Sequence, residues 1–503
     1  MVNLPPEIWL YIFDFTSKKE IYRLISVNRI FLEVGLNWYW KDVTMSTRSG
    51  EIEKMMHTLK RLSDPFIANR VKVLAIDFLY FKPAEASTPM SHSGSRNQSN
   101  SKHFKIMMKL PADRILSTFR RRRSIPAPAC HDEVPPPRSW PEVTSHIIQS
   151  LTECRNVSEL RLDWVKIPSS YDPKVILRDL WSRCPVAPNL KVLSLAGDRT
   201  FYQAFTETRP LFPQLANLRI FFSPEYSVPR KDSMGDSSIL LNHIIPFING
   251  ISPNLHSLRV CIFTLTKLTG LSAFFNNLPA LPVLQDLSIS LYVDWSLEDL
   301  SSFYLFLDGC HSNTLRYLDL ELDASEREPV DELSKSLLRL FTSTNPSFIN
   351  LQSLTIKPTR TARAVDIIIA ALQKTRMTLR ILNVRERVFN SEELVRIFYA
   401  AGDCRQLLYL RIHIDCFDWS VLDMLAEKLP RLRTLSVIAN RRPIFNEEEQ
   451  LEVGYGTNAT PISYTPLGSL EDQVYVSKSR FNRMTIQRSD YGILEVDNVY
   501  TAV

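Results

Sequence analysis

The chain has 503 residues, of which 45% are hydrophobic and 23% are charged, and it contains 13 glycines. This length is several times that of an ordinary domain and predicts either several domains or one extended repeat architecture. The scarcity of glycine disfavours phosphate-binding loops and nucleotide-binding crevices, which use glycine for close backbone approach. Most of the formal net charge of +6 comes from the run Arg120–Arg123, so we expect no broad basic face and no nucleic-acid partner.

The seven cysteines are scattered along the chain without C-x-x-C spacing, which is typical of buried thiols in a reducing compartment. No apolar stretch is long enough to span a membrane, and Glu7 and Asp14 interrupt the N-terminal apolar segment. We therefore expect a protein of the cytoplasm, the nucleus or both, without a membrane partner. No metal, nucleotide or hydrolase motif occurs in the sequence, so we expect no cofactor and no enzymatic activity.

Residues 1–43 predict three short helices. Pro6 suits the first turn of a helix, because a missing N–H costs nothing there. Ser17 with Glu20 forms a capping box that starts a second helix, and Asn28 can cap a third. A helical module of this size buries too little apolar surface to be stable alone. It therefore needs a partner, the rest of the chain, or both.

Four segments of this module resemble the F-box motif: Leu4-Pro5-Pro6-Glu7-Ile8, Ile12-Phe13, Ile21-x-x-Leu24 and Val27-Asn28-Arg29-Ile30-Phe31. Ile21, Asn28 and Phe31 depart mildly from the commonest pattern, which has Leu, Cys and Trp at these places. The resemblance implies a three-helix module that binds the Skp-type adaptor of cullin–RING ubiquitin ligases. It implies an adaptor-binding surface made of Leu4, Pro5, Ile8, Ile12, Leu24, Val27 and Phe31. The alternative is a helical cap that only seals the core of the next domain.

A second pattern, apolar-x-x-apolar-x-apolar, recurs through the rest of the chain. It stands at Val71/Leu74/Ile76, Val157/Leu160/Leu162, Leu190/Leu193/Leu195, Leu215/Leu218/Ile220, Leu255/Leu258/Val260, Leu284/Leu287/Ile289, Leu315/Leu318/Leu320, Leu351/Leu354/Ile356, Leu379/Leu382/Val384, Leu407/Leu410/Ile412 and Leu432/Leu435/Val437. Helical patterns fill the gaps, as in 172–183 and 391–401, the latter opened by a capping box of Asn390 and Glu393. One short strand and one helix per unit are the signature of leucine-rich repeats.

Residues 142–440 therefore predict irregular leucine-rich repeats. The expected fold is an α/β leucine-rich-repeat horseshoe with parallel strands on its concave face and helices outside, preceded by the three-helix F-box. The irregular repeats resemble those of F-box proteins in fungi. The alternative is a doubly wound α/β domain, which the scarcity of glycine at strand–helix turns disfavours.

The remaining segments are connections and ends. Residues 44–82 predict a linker helix and the first repeat strand, and residues 83–141 a flexible insertion rich in serine and proline. Residues 441–503 predict a C-terminal cap and a mobile tail. In that cap, Val474–Val476 and Met484–Ile486 are candidate strands that cover the open edge of the last repeat.

The residue between the last two apolar positions of each unit should point to the concave face, because side chains alternate along a strand. Reading that position gives the client-binding candidates Arg161, Arg219, Arg259 and Arg411. Forked arginine donors suit carboxylate or phosphate, so we hypothesise that an acidic or phosphorylated client segment binds across the first three. The alternative is that these arginines pair with neighbours such as Asp163.

Two functions from different classes follow from these features. The first is the non-catalytic substrate receptor of an SCF-type ubiquitin ligase, with the module on a Skp-type adaptor, and through it on a cullin–RING complex, and the repeats on an unknown client protein. The second is a leucine-rich-repeat scaffold that binds a protein without any ligase role. Binding of a Skp-type adaptor separates the two.

Overall fold

A computed structural model places most of the predicted repeats. The residues that it describes are 5–17, 20–21, 23, 29–46, 52–78, 140–164, 172–222, 239–262, 271–293, 301–310, 314–324, 331–343, 348–357, 363–416, 419–441, 483–488 and 496–499. The chain divides into two units, one formed by Met1–Leu195 with Glu207–Gln214 and the other by Ala196–Thr206 with Leu215–Val503.

Up to Glu207, one or two helices precede each strand. The helices are Pro6–Asp14 (α1), Arg29–Trp40 (α2), Ile52–Leu62 (α3), Pro65–Ala68 (α4), Trp140–Leu151 (α5), Pro173–Arg183 (α6) and Arg199–Glu207 (α7). The strands are Asp42–Ser46 (β1), Val73–Asp77 (β2), Glu159–Trp164 (β3) and Val192–Gly197 (β4). In the first unit β1, β2 and β3 run parallel, each beside the next in the sequence.

The first strand of this sheet, β1, was missed by the sequence analysis, which begins the repeat strands only at β2. Val43 and Met45 of β1 pair with Leu74 and Ile76 and are 6% and 1% exposed. They alternate with polar residues as a strand requires. The segment lacks the full leucine pattern and directly follows α2. Its two inward side chains alone are too few to predict a strand.

The second unit repeats one strand and one helix many times. Its strands are Asn217–Phe222 (β5), Ser257–Ile262 (β6), Asp286–Val293 (β7), Tyr317–Ala324 (β8), Ser353–Lys357 (β9), Ile381–Phe389 (β10), Tyr409–Cys416 (β11), Thr434–Arg441 (β12), Arg483–Arg488 (β13) and Val496–Val499 (β14). After α7, its helices are Ile245–Ile251 (α8), Leu271–Asn277 (α9), Ser301–Cys310 (α10), Asp331–Thr342 (α11), Ala364–Thr375 (α12), Ser391–Gly402 (α13) and Trp419–Lys428 (α14).

Every strand from β5 to β12 pairs in parallel with the next strand in the sequence, and β14 then pairs antiparallel with β13. Neighbouring helices from α11 to α14 also contact each other in chain order. This succession of parallel strands and stacked helices is that of an α/β repeat solenoid, and it is compatible with leucine-rich repeats. A doubly wound domain would instead reverse its strand order.

One row of leucines forms the centre of the core in the second unit. Its members are registered across the sheet and are at most 2% exposed: Leu218, Leu258, Leu287, Leu318, Leu354, Leu382, Leu410 and Leu435. Burying each such side chain contributes roughly 1.5–3 kcal/mol. The predicted role of the recurrent leucine pattern is thereby confirmed.

The predicted helix starts and the predicted edge strand are also found. The Asp172 side chain accepts a hydrogen bond from the backbone N–H of Lys174 at 2.8 Å. Asn390 and Glu393 exchange the two bonds of a capping box, at 2.9 and 3.0 Å. Met484–Ile486 lie in β13 beside β12, as expected of a strand that covers the last repeat. Val474–Val476 and nearly all of the insertion 83–141, including Arg120–Arg123, lie outside the described residues.

Candidate functional site

The N-terminal module has a small core of its own. Phe13, Ile21 and Val34 are buried in it, and Trp9, Phe31 and Trp38 pack against them, partly buried. The ring of Phe31 lies 4.6 Å from that of Trp9 and 5.7 Å from that of Phe13, measured between centroids. These aromatic contacts hold α2 against α1.

The opposite side of α1 exposes a second apolar face. Ile8 is 44% exposed and Ile12 is 37% exposed, while Tyr11 and Phe15 reach 64% and 77%. The rings of Tyr11 and Phe15 stack edge to face at 5.0 Å. A helix that is apolar on both sides buries only one of them in its own module. The exposed side is therefore a surface that a partner can cover.

The predicted adaptor-binding residues divide into three groups. Pro5, Ile8 and Ile12 lie on the exposed side, as a docking surface requires. Phe31 instead belongs to the core of the module. Leu4, Leu24, Val27 and the capping residue Asn28 lie outside the described residues.

Tyr11 and Phe15 were not among the predicted adaptor-binding residues. The signal for them was present in the sequence, because positions 8, 11, 12 and 15 share one face of a helix. The segments that resemble the F-box contain Ile8 and Ile12 but neither Tyr11 nor Phe15. The exposed face thus has two aromatic members beyond those that the resemblance supplied.

The predicted capping box at the second helix of the module is confirmed. The Glu20 carboxylate accepts hydrogen bonds from the Ser17 backbone N–H at 3.1 Å and from the Ser17 hydroxyl at 2.7 Å. The Glu20 backbone N–H donates to the Ser17 hydroxyl at 3.3 Å. The hydrogen bonds from Ser17 lower the pKa of the Glu20 carboxyl. The three hydrogen bonds between Ser17 and Glu20 stabilise the turn of the chain after α1.

Arg70 attaches the module to the first repeats of its unit. Its guanidinium donates to the Glu33 carbonyl oxygen at 3.4 Å and to the side-chain oxygen of Asn37, both on α2. The same guanidinium lies 4.2 Å from the centroid of the Phe66 ring in α4. α2 is thus held from α4 as well as from α1.

The second unit carries a polar face on the side of its sheet opposite the leucine row. Strand residues that precede and follow each leucine alternate onto this face. Its central row, registered strand by strand, is Arg219, Arg259, Ser288, Asp319, Thr355, Asn383, Arg411 and Ser436. The register confirms that Arg219 and Arg259 stand opposite each other on adjacent strands, as the sequence analysis predicted.

The arginines proposed to bind a client already have contacts. In the first unit, Arg161 pairs with Glu159 at 2.5 Å. In the second, the Arg259 Nε–H points to Cys261 Sγ at 3.5 Å, and the guanidinium lies 5.7 Å from the centroid of the Phe221 ring. Because Arg161 and Arg259 have these neighbours, an acidic segment would have to compete for them.

Asp319 lies two strands along the row from Arg259. Its Oδ2 accepts a hydrogen bond from the Ser288 hydroxyl at 3.2 Å and lies 4.0 Å from Arg385 Nη1. Its Oδ1 is buried and has no hydrogen-bond partner. Burial raises the pKa of the Asp319 carboxyl, although Arg385 and Arg259 oppose the rise.

The next row of the polar face is buried. It consists of Cys261, Ser290, Glu321 and Lys357, which are 0%, 4%, 6% and 2% exposed. Lys357 Nζ lies 3.1 Å from Glu321 Oε1 and 2.7 Å from Glu386 Oε2. Glu386 belongs to a bulge in β10 and has a φ of 58°, a left-handed conformation that is unfavourable for residues other than glycine. The buried ammonium group of Lys357 thus has two carboxylate partners.

Other kinds of site have little support. Among the described residues, no group of three His, Cys, Asp or Glu side chains is placed to hold a metal ion. No helix in the same part of the chain is both long and apolar enough to cross a membrane. Cys154, Cys184, Cys261 and Cys404 are free and buried, which confirms the predicted burial of these four thiols.

The comparisons with known proteins find a distant structural similarity. No family model matches the chain. No curated protein matches it either. Among solved structures, it is similar to a chain in the crystal structure of the Rad7 and Elc1 complex in yeast, with 18% identity and a TM-score of 0.32, over 60% of this chain and 86% of that one. At this similarity, function has to be argued from the residues themselves.

Proposed function

We propose that this protein is the non-catalytic substrate receptor of an SCF-type ubiquitin ligase. Its N-terminal module binds a Skp-type adaptor, and through the adaptor a cullin–RING complex. Its repeats bind a client protein, to which a separate enzyme of the complex transfers ubiquitin. No residue of this chain takes part in that transfer.

The exposed apolar face of α1 is the observation that carries this proposal. Ile8, Tyr11, Ile12 and Phe15 lie on it, in the segment whose sequence resembles the F-box. Covering such side chains in an interface contributes about 1.5–3 kcal/mol for each one fully buried, and aromatic residues are frequent among those that dominate binding energy. A face of this kind would remain in water if the module only sealed the neighbouring repeats.

For the client we propose the polar face of the repeat strands in each unit. Arg219, Arg259 and Arg411 share its central row in the second unit, and Arg161 has the equivalent position in the first. An acidic or phosphorylated client would bind there by replacing the present neighbours of Arg161 and Arg259.

The second candidate function is a repeat scaffold without a ligase. The contacts of Arg70 with α2 favour it, because a module held this way also acts as a cap for the first repeats. The two candidates share the client surface and differ only at the adaptor surface.

Size-exclusion chromatography of the full chain with a purified Skp-type adaptor tests the proposal. We expect one complex of the two proteins, and its loss in the double variant Ile8→Ser with Ile12→Ser. The matched control is Val175→Ser with Leu305→Ser, since both residues are exposed aliphatic residues of other helices, at 53% and 68%. Independent elution of wild type and adaptor would favour the scaffold.

A further inference from the structure

One part of the polar face differs from the arginine row in both shape and charge. It lies on β7 to β11, two residues before the central row on each strand. Its members, in register from strand to strand, are Asp286, Tyr317, Ser353, Ile381 and Tyr409. With Asp319, which is two residues after Tyr317 on the same face, these residues are called the Tyr317 strip below.

The register of the Tyr317 strip predicts an apolar notch. Tyr317 is 45% exposed and Ile381 is 36% exposed, and the small side chain of Ser353 lies between them on β9. Strands two apart are separated by about 10 Å, so the two larger side chains form walls with Ser353 as the floor. A Leu-sized or aromatic side chain of another protein fits between such walls.

Two carboxylate residues, each with one buried oxygen that lacks a hydrogen-bond partner, are neighbours of Tyr317 in the sheet. Asp286 stands opposite Tyr317 on β7, and its Oδ1, like that of Asp319, is buried without a hydrogen-bond partner. Burial raises the pKa of the Asp286 carboxyl even though His256 and Arg316 oppose the rise. Burial likewise raises the pKa of the Asp319 carboxyl, although Arg385 opposes the rise. The neighbouring cations therefore leave both carboxylates incompletely compensated, and an additional donor would be favourable.

We propose that the Tyr317 strip binds an extended protein segment that carries an Arg or Lys two residues from a large apolar side chain. The cationic group donates to Asp286 or Asp319, and the apolar group fills the notch beside Ser353. Alternate residues of an extended chain are about 7 Å apart on one side, which matches the spacing of Tyr317 and Asp319 along β8. Tyr and Arg are also the residue types that most often dominate protein interfaces.

This inference rests on the client half of the proposed function and not on the adaptor half. It also predicts the opposite charge from the acidic client that the arginine row suggests. An acidic or phosphorylated segment at the Tyr317 strip would bring its charge against Asp286 and Asp319, whose unpartnered oxygens offer no donor. The sign of the charge on the bound segment therefore separates the two surfaces.

Four labelled peptides in an alanine–serine background test the inference by fluorescence polarisation with the full chain. They carry Arg-x-Leu, Arg-x-Gly, Glu-x-Leu or phosphoserine-x-Leu. We expect Arg-x-Leu to bind below about 1 mM and at least about tenfold more tightly than the other three. Equal or tighter binding of the Glu or phosphoserine peptide, or no binding of any peptide, would overturn the inference.

Single variants locate the binding. Tyr317→Ala and Asp319→Asn should each weaken the Arg-x-Leu peptide at least about tenfold. Tyr399→Ala and Asp423→Asn, at exposed helix positions, are the matched controls and should bind as wild type does. Unchanged affinity in Tyr317→Ala and Asp319→Asn, with their thermal unfolding also unchanged, contradicts the assignment. Because the adaptor is absent from this assay, a failure of the adaptor proposal is seen separately.

Discussion

Replacement of Lys357 is the sharpest test of the energetics of the polar face. Its side chain is 2% exposed and that of Glu321 is 8% exposed, with 3.1 Å between Nζ and Oε1. At an effective dielectric constant of about 20 this distance corresponds to a gross attraction of roughly 5 kcal/mol. Desolvation of both ions offsets most of that attraction, but removing one partner leaves the other charged and buried. Lys357→Ala should therefore lower the free energy of unfolding by about 3–5 kcal/mol.

Two further variants separate this charge effect from lost packing. Lys357→Met with Glu321→Gln removes both charges and keeps the volume, so its cost should be within about 1 kcal/mol of zero. Glu386→Gln removes the partner whose side chain is 42% exposed and should cost at most about 1 kcal/mol.

Urea denaturation followed by circular dichroism measures all three variants. The reasoning is refuted if Lys357→Ala costs less than about 1 kcal/mol, or if the double variant costs as much as the single one. The first result would mean that Glu321 is compensated without Lys357, and the second that the cost does not come from the charge of Glu321.

Two other predictions concern packing and titration. A Cβ added at Gly197 would lie 2.5 Å from Cδ1 of the buried Phe201, whereas one at Gly250 would meet nothing within 4 Å; Gly197→Ala should therefore destabilise by about 1–3 kcal/mol in the same denaturation assay, and Gly250→Ala should not. Burial raises the pKa of Cys154, Cys184 and Cys404 to about 12, so the folded state keeps protons that the unfolded chain releases from about pH 9 upward. Thermal stability should consequently fall as pH rises from about 9 towards 12, and iodoacetamide at about pH 8 should label these thiols only after unfolding; rapid labelling of the native protein would contradict this.

The repeats could be predicted from the sequence because their strands and helix caps depend on residues that are close together in the chain. Side chains alternate along a strand, so a few residues around Leu354 and Ile356 are enough to predict that strand. The capping box at Asn390 and Glu393 is equally local, since both of its hydrogen bonds join residues three apart. Features of this kind follow from spacing alone.

The charge pairs of the polar face could not be predicted from the sequence in this way. Lys357 meets Glu321, which lies 36 residues earlier, and only the register of β8 with β9 brings them together. The bulge in β10 between Asn383 and Val388 continues an ordinary polar stretch in the sequence. It nevertheless places Glu386 over Lys357. Charge pairs between strands therefore lie on the same face as the row of arginines that single-strand alternation predicted.

The exposed face of α1 could be predicted only in part. The F-box resemblance pointed to Ile8 and Ile12, and both are exposed. It also pointed to Phe31, whose ring packs on Trp9 and Phe13 in the core of the module. A motif gives the positions of apolar residues, but which of two apolar faces stays open depends on how α2 packs.

The affinity of the full chain for a purified Skp-type adaptor, measured by isothermal titration calorimetry, tests the central claim most directly. We predict one-to-one binding with a Kd of about 1 µM or tighter. Ile8→Ser with Ile12→Ser should weaken it at least about tenfold, since two partly exposed isoleucines would lose their burial in the interface. Val175→Ser with Leu305→Ser should leave it unchanged. Absence of binding at about 1 mM, or an unchanged Kd in the Ile8 and Ile12 variant, would contradict the assignment of this face of α1 to the adaptor.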